Sequence, residues 1–345
     1  MKVLFIGVDP DSLGGIQTFS RNLSELLSLD SVYFPSLIGN LKGRYLIKQF
    51  MATSMLFRFL KIIGVDNVIY SSLLKRYVKN NGIKYIILNT PQSLKYLSGI
   101  GAKVILVQHQ SFDSHFSRRE YFNNENDLIS KCNKILYKFV MLSDLDKQEY
   151  LERQSFKQDK LTVIRHFSHM PVLKVEKSKS KNLVMMCRLD NKHKRIDLAI
   201  EAMKDLPDFT LNIYGSGPDE QFLKKIVLEL DLKNVIFHKQ VLNVQGALDE
   251  NAIHVMTSDF EGYPISNIEA TLRGLPIIVR NTFTSASDIV GENGILLDAK
   301  WERHQFSDAV RAIYENYNYY SQMALVKACI FDPTKAKNEW EKIIK

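Results

Sequence analysis

The sequence predicts an α/β protein built from two Rossmann-like domains that face each other across a cleft. At 345 residues the chain exceeds the size at which one hydrophobic core usually stops growing. Both halves alternate short apolar runs with helix-like stretches, which is typical of parallel sheets covered on both faces. A polar, lysine-rich segment at 169–181 separates the halves and predicts domains at 1–168 and 182–321.

The predicted elements follow from hydrophobic periodicity and turn residues. In the first half they are strands at 3–8, 85–88 and 104–107, with helical stretches at 18–29 and 94–97. In the second half they are strands at 183–186, 210–214, 235–237, 253–256 and 276–279, with helices at 197–203, 219–230 and 267–273. Because ligands of such sheets bind beyond the carboxyl ends of the strands, the residues that follow each strand are the candidates for function.

The composition, with 45% hydrophobic and 24% charged residues, is typical of a soluble globular protein. No apolar run has the length of a signal-peptide core or of a membrane span, which predicts a cytoplasmic protein. The three cysteines Cys132, Cys187 and Cys329 are far apart. Their spacing argues against a disulfide framework and against structural zinc.

Much of the net charge of +8 comes from the segment 42–79, where cations alternate with large apolar side chains. This pattern fits contact with an anionic membrane, at the inner face of the cell membrane. It fits equally a buried helix whose lysine stems cover a sheet. We expect no nucleic-acid partner, because no recognisable binding module accompanies the segment.

Two glutamates, Glu261 and Glu269, flank the start of the helix predicted behind strand 253–256. The free N–H groups and positive dipole end of such a helix form a site for a phosphate. Ser266 followed by Glu269 has the form of a capping box, so Glu269 also has a purely structural interpretation. Glu261 has no capping role, and two carboxylates fit two sets of sugar hydroxyls, those of a ribose and of a hexose.

A basic turn, from Arg188 to Arg195, follows the first strand of the second half. Cations at the carboxyl end of a strand predict a polyanion such as a diphosphate, because arginine forks onto phosphate oxygens and lysine adds a point charge. A solvated turn is the alternative.

Gly215 and Gly217 follow the next strand, where a ligand could lie against the backbone, although such a motif alone is only a turn.

In the first half, Gly14 and Gly15 precede a helix, and their backbone could approach a ligand closely. Paired glycines in such a turn also occur for geometric reasons alone.

His109 follows strand 104–107 and would face the cleft, where it could hydrogen-bond a sugar hydroxyl. A loop histidine satisfied by backbone groups is the alternative.

These motifs, with the closing segment 287–298, resemble the retaining GT-B glycosyltransferases of glycosyltransferase family 4, the glycosyl transferases of group 1. The resemblance is close from 182 to 298 and looser before it. It implies that the second domain binds a nucleotide sugar and that the first binds the acceptor. It also implies that a C-terminal helix within 322–345 returns to the first domain.

The resemblance implies a role for each residue. Glu269 would hold the ribose hydroxyls, and Glu261 would approach the donor sugar with His109 nearby. Arg188 and Lys194 would hold the diphosphate. The further nucleotide-sugar contacts that it implies are Gly14, Gly15, Gly215, Gly217, Gly262, Tyr263, Pro264, Ile265 and Ser266.

Three departures from the family pattern stand out. Gln17 replaces an acidic residue that many members have after the glycine pair, and Arg165 with His166 replaces a Pro-Asn pair. The spacing from Arg188 to Lys194 is one residue longer than usual, which makes Lys192 a rival phosphate ligand.

The implied reaction transfers a hexosyl or N-acetylhexosaminyl group, with retention, from a nucleotide sugar, with UDP as the family-level expectation. The acceptor would be a glycan, a lipid-linked sugar or a cell-envelope polysaccharide. Arg188, Lys194 and the amides near the helix start would replace a divalent cation, so neither a metal nor a further cofactor is expected. The acidic pairs at 9 and 11 and at 144 and 146 are not beside the predicted diphosphate site.

Two other functions remain open at this point. A sugar-nucleotide epimerase would use the same fold and would need an acid/base set, for which His109, Asp113 and His115 are the candidates. A non-catalytic protein that binds a glycan or a sister transferase could also use this fold. Such a protein is expected to have lost donor-site residues, whereas the pattern retains them.

Overall fold

The computed structural model describes residues 2–6, 14–34, 66–111, 129, 133–153 and 156–344. The chain forms two compact units, one of Met1–Arg165 with Ala336–Lys345 and the other of His166–Lys335. Of the segment predicted to contact a membrane, residues 42–65 lie outside the described residues, as do Asp9, Asp11, Asp113, His115 and Cys132. None of the described helices is long and apolar enough to cross a bilayer.

The described elements alternate between strands and helices along most of the chain. The strands are β1 (Lys2–Ile6), β2 (Asp30–Phe34), β3 (Tyr85–Leu88), β4 (Lys103–Val107), β5 (Leu136–Met141), β6 (Leu161–Val163), β7 (Asn182–Met186), β8 (Thr210–Tyr214), β9 (Val235–His238), β10 (Ile253–Met256), β11 (Ile277–Arg280) and β12 (Gly294–Leu297). The helices are α1 (Gly15–Leu26), α2 (Asp66–Asn80), α3 (Asp144–Arg153), α4 (Asn191–Lys194), α5 (Ile196–Ala202), α6 (Glu220–Glu229), α7 (Val244–Asp249), α8 (Ile265–Leu272), α9 (Ala286–Ile289), α10 (Arg303–Glu315), α11 (Tyr317–Ala328) and α12 (Pro333–Ile343). Short 3-10 helices occupy Pro91–Tyr96, Gln158–Lys160, Met203–Asp205 and Cys329–Phe331.

The first unit is built on a six-stranded parallel sheet in the order β2-β1-β3-β4-β5-β6. The predictions of β3 and β4 are confirmed, because runs such as Tyr85–Leu88 are apolar and buried at every position. Three strands were not predicted. Strand β2 opens on two polar residues, β5 carries Lys138 within its apolar run, and β6 has three residues.

Helix α1 begins three residues before its predicted start at 18, directly after Gly14. Gly14 has φ 153° and ψ 164°, and its carbonyl accepts a hydrogen bond from the N–H of Thr18 at 2.9 Å. The ring of Phe19 on α1 is buried and lies 6.1 Å from that of Trp340 on α12. The last helix of the chain therefore packs within the core of the first unit.

The second unit is built on another six-stranded parallel sheet, in the order β12-β11-β10-β7-β8-β9. Each of its five predicted strands is present, and β12 is the one that the sequence missed. Strand β12 begins with Gly294, whose missing Cβ would lie 2.0 Å from the carbonyl oxygen of Ile277. A glycine at a strand start weakens the strand signal, although this close backbone approach requires it.

Part of the segment predicted as a linker is hydrogen-bonded to the second unit. The carbonyl of Pro171 accepts a bond from Arg273 Nη1 at 2.7 Å, and the N–H of Leu173 donates to Leu272 at 2.9 Å. The Lys177 ammonium donates to the carbonyls of Leu248 and Asp249 at the end of α7. Burial lowers the pKa of Lys177 to about 8.

Two glycines allow the turns after β7 and β8 to touch. A Cβ on Gly215 would lie 1.9 Å from the carbonyl oxygen of Cys187, and one on Gly217 would lie 2.3 Å from that of Leu189. Backbone hydrogen bonds join the turns, from Leu189 N–H to Ser216 at 3.0 Å and from Asp219 N–H to Leu189 at 3.0 Å. These glycines therefore support the turn that carries Arg188.

We expect Gly217→Ala to destabilise the second unit by about 2 kcal/mol or more, because the backbone of Leu189 cannot yield to the added methyl group. Gly15→Ala is the matched control, since among the described residues no atom outside its chain neighbours and its own helix backbone lies within 4 Å of its Cβ position. As the first residue of α1, it should change stability by less than about 0.5 kcal/mol. Urea unfolding followed by circular dichroism measures both; equal stabilities would show that the two turns do not touch in solution.

Candidate functional site

The strand order of the second sheet reverses between β7 and β10. Strands β8 and β9 continue on the β7 side, and β11 and β12 continue on the β10 side. In open parallel sheets this is the point at which ligands bind, outside the carboxyl ends of the strands. The basic turn follows β7, and the loop with Glu261 follows β10. The structure therefore brings the two strongest sequence motifs to the same edge.

Hydrogen bonds join these two loops. The hydroxyl of Thr257 lies 3.0 Å from the carbonyl of Lys194 and 2.8 Å from that of Arg195, and it donates between them. The N–H of Asp259 donates to the carbonyl of His193 at 2.9 Å. The ammonium of Lys194 donates to Oε1 of Glu261 at 2.5 Å, with both side chains largely buried. Two residues predicted at the diphosphate and at the donor sugar thus form an ion pair.

The cations of the basic turn fall into two groups. Arg195 makes two hydrogen bonds to Asp197, at 3.1 and 3.0 Å, and lies 3.5 Å from Asp259. His193 lies 3.0 Å from Asp190. Arg188 and Lys192 are exposed, and neither side chain makes a hydrogen bond or ion pair with any residue in the described ranges. The pairing inside the turn leaves these two cations for a ligand.

Helix α8 begins at Ile265, two residues before the predicted start, with Pro264 in the N-cap position. The capping-box prediction is wrong, because Ser266 is already inside the helix and no side chain caps it. The carbonyl of Pro264 accepts bonds from Asn267 and Ile268 at 3.2 and 3.4 Å. Among the described residues, no hydrogen-bond acceptor meets the backbone N–H groups of Ile265 and Ser266. An open helix start of this kind binds anions.

The loop before α8 is anchored from α9. The hydroxyl of Ser285 donates to the carbonyl of Gly262, and the phenol of Tyr263 donates to Asp288 at 2.9 Å. Both loop residues are buried, and Pro264 has no N–H to offer. The anchored loop therefore fixes where the N–H groups of Ile265 and Ser266 point.

The carboxyl of Glu269 lies on the second turn of α8 and has no capping partner. Ser168 donates a hydrogen bond to its Oε1 at 3.3 Å. Desolvation by burial raises the pKa of Glu269 to about 7, while the bond from Ser168 opposes this shift. The capping role that the sequence allowed for Glu269 is therefore absent.

The first unit places polar groups at the carboxyl ends of β3 and β4. His109 Nε2 lies 2.8 Å from Oδ1 of Asn89, and Asn89 donates from Nδ2 to Ser20 at 3.0 Å. Since Nδ2 is the donor to Ser20, Oδ1 accepts from His109, and Nε2 carries the hydrogen. The ring of His109 also packs edge-on against Phe19, with centroids 4.9 Å apart. His109 is thus fixed in orientation, and Gly15 begins the neighbouring helix.

The acidic pair at 144 and 146 is engaged in local structure. Asp146 accepts from the hydroxyl of Ser143 at 2.7 Å, and Asp144 pairs with Arg165 at 3.0 Å. In the described ranges, no three His, Cys, Asp or Glu side chains form a group that could hold a metal.

Sequence reasoning missed three contributors to these sites. Asn89 directly follows β3, as His109 follows β4, so its position after a predicted strand was a usable signal. Asp259 accepts from the buried Arg280 at 2.7 Å and supports the loop, but its role depends on β11, which follows α8 in the chain. Ser168 reaches Glu269 across about a hundred residues of sequence, and no local pattern indicates it.

Comparisons with known proteins agree with this architecture. Residues 173–325 match the family described as Glycosyl transferases group 1. An uncharacterized glycosyltransferase of Haemophilus influenzae is 24% identical over 340 residues, covering 94% of this chain and 93% of that protein. The O-antigen biosynthesis glycosyltransferase WbnH of Escherichia coli is 23% identical over 325 residues, covering 92% of each.

The fold is shared with a solved structure. Anabaena HepE in complex with UDP superposes with a TM-score of 0.77 at 13% identity, covering 100% of this chain and 99% of that one. The prediction of two Rossmann-like domains in a GT-B fold is confirmed. The family match, together with this fold, supports a transferase of the glycosyltransferase class.

We expect Glu269→Gln to stabilise the protein at pH 8 by about 1–3 kcal/mol, with no gain below about pH 4.5. Burial raises the pKa of Glu269 to about 7, so the folded state holds this proton more tightly than the unfolded state. The ordinary pKa of a glutamate is 4.5. The stability that Glu269 contributes therefore falls as the pH rises from 4.5 to about 7. Glutamine keeps the shape and removes the buried charge.

Urea unfolding at pH 4.5, 6 and 8 measures this difference. Glu176→Gln is the control, because Glu176 is an exposed carboxyl of the same unit. A pH-independent difference for Glu269→Gln would contradict the predicted desolvation.

Proposed function

We propose that this protein is a retaining glycosyltransferase that moves a hexosyl or N-acetylhexosaminyl group from a UDP-sugar to a glycan, a lipid-linked sugar or a cell-envelope polysaccharide. One observation carries the proposal. At the switch point of the second sheet, exposed cations and an open helix start lie at the same edge as two carboxylates. A nucleoside diphosphate sugar requires hydrogen-bond donors for its diphosphate and, beside them, carboxylates that accept from its hydroxyls.

The donor would be held through its charged and hydroxylated parts separately. Arg188, Lys192 and the N–H groups of Ile265 and Ser266 would take the diphosphate, since each supplies donors without a competing partner in the described ranges. Glu269 would accept from the ribose hydroxyls. Glu261 would approach the donor sugar, with Lys194 holding its carboxylate at 2.5 Å.

The chemistry would depend on stabilising the leaving group. The bond from the anomeric carbon to the diphosphate breaks with its electron pair on the diphosphate oxygen. The acceptor hydroxyl forms the new bond on the same face and gives its proton to the departing diphosphate. Each fixed donor aimed at the developing charge contributes about 3 kcal/mol of transition-state stabilisation.

The nucleotide and the acceptor are inferred from two similar proteins. HepE was solved with UDP, and WbnH is named for O-antigen biosynthesis, so both favour a UDP-sugar and a cell-envelope acceptor here. Contact with a membrane through 42–79 rests on the sequence alone. The roles of His109 and Gly15 near the donor also stay predictions.

Arg188→Ala should weaken UDP binding by about 10- to 100-fold, because an exposed cation that hydrogen-bonds a phosphate loses about 1.5–3 kcal/mol when truncated. Protein stability should not change, since Arg188 has no partner in the described ranges. Isothermal titration calorimetry against nucleoside diphosphates measures the affinity, and thermal unfolding measures the stability. Lys192→Ala and Lys194→Ala, run alongside, show which lysine contacts the diphosphate.

Lys204→Ala is the matched control, since Lys204 is an exposed cation at the opposite end of the same sheet, ahead of β8. It should leave UDP affinity unchanged apart from weak screening effects. If the folded wild-type protein bound no nucleoside diphosphate, the proposal would fail and a non-catalytic binding protein would be favoured.

Turnover should conserve the anomeric configuration of the donor and should persist in excess EDTA. Arg188 and the helix N–H groups would supply the charge stabilisation that a divalent cation gives elsewhere. Purified protein is incubated with UDP-sugars and a panel of short free and lipid-linked saccharides. NMR of the anomeric proton then reports configuration. An inverted product would overturn the retaining assignment, and loss of activity in EDTA would overturn metal independence.

A further inference from the structure

Ser168 lies after β6, at the start of the second unit, and is 4% exposed. Its hydroxyl is 3.3 Å from Oε1 of Glu269 on α8. Among the described residues it is the one hydrogen-bond partner of the Glu269 carboxyl. The hydrogen bond thus connects the first segment of the second unit, which contains Ser168, to helix α8. The start of α8 faces the candidate site.

The direction of this hydrogen bond is determined by a second one. The hydroxyl oxygen of Ser168 accepts from the backbone N–H of Met170 at 3.2 Å. The single hydrogen of the hydroxyl is therefore available for Glu269, which has to accept it. A carboxylate accepts such a bond better than a neutral acid does. The second oxygen of Glu269, Oε2, keeps its full capacity to accept.

The titratable groups on the elements packed around α8 are engaged or neutral. His254 on β10 and His166 next to Ser168 are buried, and burial lowers their pKa to about 4 and about 3. The charged groups are Arg273 bonded to Asp249, Arg280 bonded to Asp259, Asp288 bonded to Tyr263, and Lys327 on α11 beside Gly291. The hydroxyl of Ser168 is consequently the group that stabilises the half-buried carboxylate of Glu269.

We propose that Ser168 is a positioning residue that holds Glu269 ionised and oriented, so that Oε2 accepts from the hydroxyls of the donor nucleoside. This inference rests on the proposed function and deepens it. It assigns the segment after β6, outside the helix and loops of the donor site, a part in nucleotide recognition. Ser168 itself does not touch the substrate.

The test measures UDP affinity by calorimetry from pH 6 to 8.5 in the full-length protein. Ser168→Ala should weaken binding about 5- to 20-fold at pH 6.5 and less at pH 8.5, as expected for loss of a hydrogen bond to a charged group. The reason is that the pKa of Glu269 should rise by about one unit without the hydroxyl. NMR of carbon-13-labelled glutamate, assigned by comparison with Glu269→Gln, reports that pKa directly.

Two further variants keep the test decisive. Ser168→Cys is nearly isosteric and a weak donor, so it serves if the alanine variant is poorly folded. Ser321→Ala is the matched control, because Ser321 is 3% exposed and its hydroxyl donates to Gly274 at 2.8 Å, just past the other end of α8. It removes an equally buried hydroxyl near the same helix and should change neither the pKa of Glu269 nor the pH profile of binding.

The outcomes separate this inference from the function on which it rests. One outcome is that the wild-type protein binds UDP, that Arg188→Ala no longer does, and that Ser168→Ala shows the same affinity and pH profile as Ser321→Ala. In that case Ser168 has no positioning role, and the proposed donor site is retained. If wild-type protein binds no nucleoside diphosphate, both fail. An upward shift of the Glu269 pKa, together with a binding profile displaced to higher pH, supports the inference.

Discussion

The candidate site of the second unit depends on the hydrogen bonds between the loops after β7 and β10. Arg195 takes a left-handed conformation, φ 47° and ψ 46°, which costs a non-glycine residue roughly 1–2 kcal/mol. Thr257 meets the carbonyls on either side of this kink, and Asp197 and Asp259 hold the guanidinium. The kink ends α4 and starts α5, and it leaves Lys194 beside Glu261. Without these bonds the basic turn would be a solvated loop, as its composition alone allows.

The same bonds decide which charges are available to a ligand. From the sequence alone, a turn with so many cations suggests one positive cluster. In the structure, however, Arg195, His193 and Lys194 each have an acidic partner within 3.5 Å. Arg188 is different because the close contact between the turns at 187–189 and 214–218 holds its backbone, while its side chain remains exposed. A backbone that is already fixed does not have to be ordered when Arg188 binds an anion, so only the side chain loses entropy. The glycines at 215 and 217 therefore support Arg188 through packing, and the direct ligand contact that their motif predicts stays a prediction.

The sequence predicted the architecture well because buried parallel strands are mostly apolar, a signal that is clear in Tyr85–Leu88 of β3 and at 183–186 of β7. It failed at β2, β5, β6 and β12, where polar residues, a lysine, shortness or an initial glycine hide the pattern. At the candidate site, local chemistry singled out Glu261, Glu269 and Arg188 as candidates. It misplaced the start of α8 by two residues, because Ser266 and Glu269 mimic a capping box although Pro264 already occupies the N-cap position. It could not find Ser168 or Asp259, whose partners are remote in sequence and are brought near only by the sheet.

The two carboxylates of the site illustrate how one fold gives similar groups different surroundings. Glu261 has the ammonium of Lys194 at 2.5 Å, whereas Glu269 is half-buried and has one neutral hydroxyl. A desolvated carboxylate with so little compensation reduces stability near neutral pH. Folding alone gives no reason to keep it, because a glutamine would fit the same helix position without the charge. A ligand that donates hydrogen bonds to Glu269 would supply the missing stabilisation, and its binding energy would add to the stability of the folded state. The cost in the free protein is thus itself an argument that α8 is shaped for a hydroxyl-bearing ligand rather than for stability.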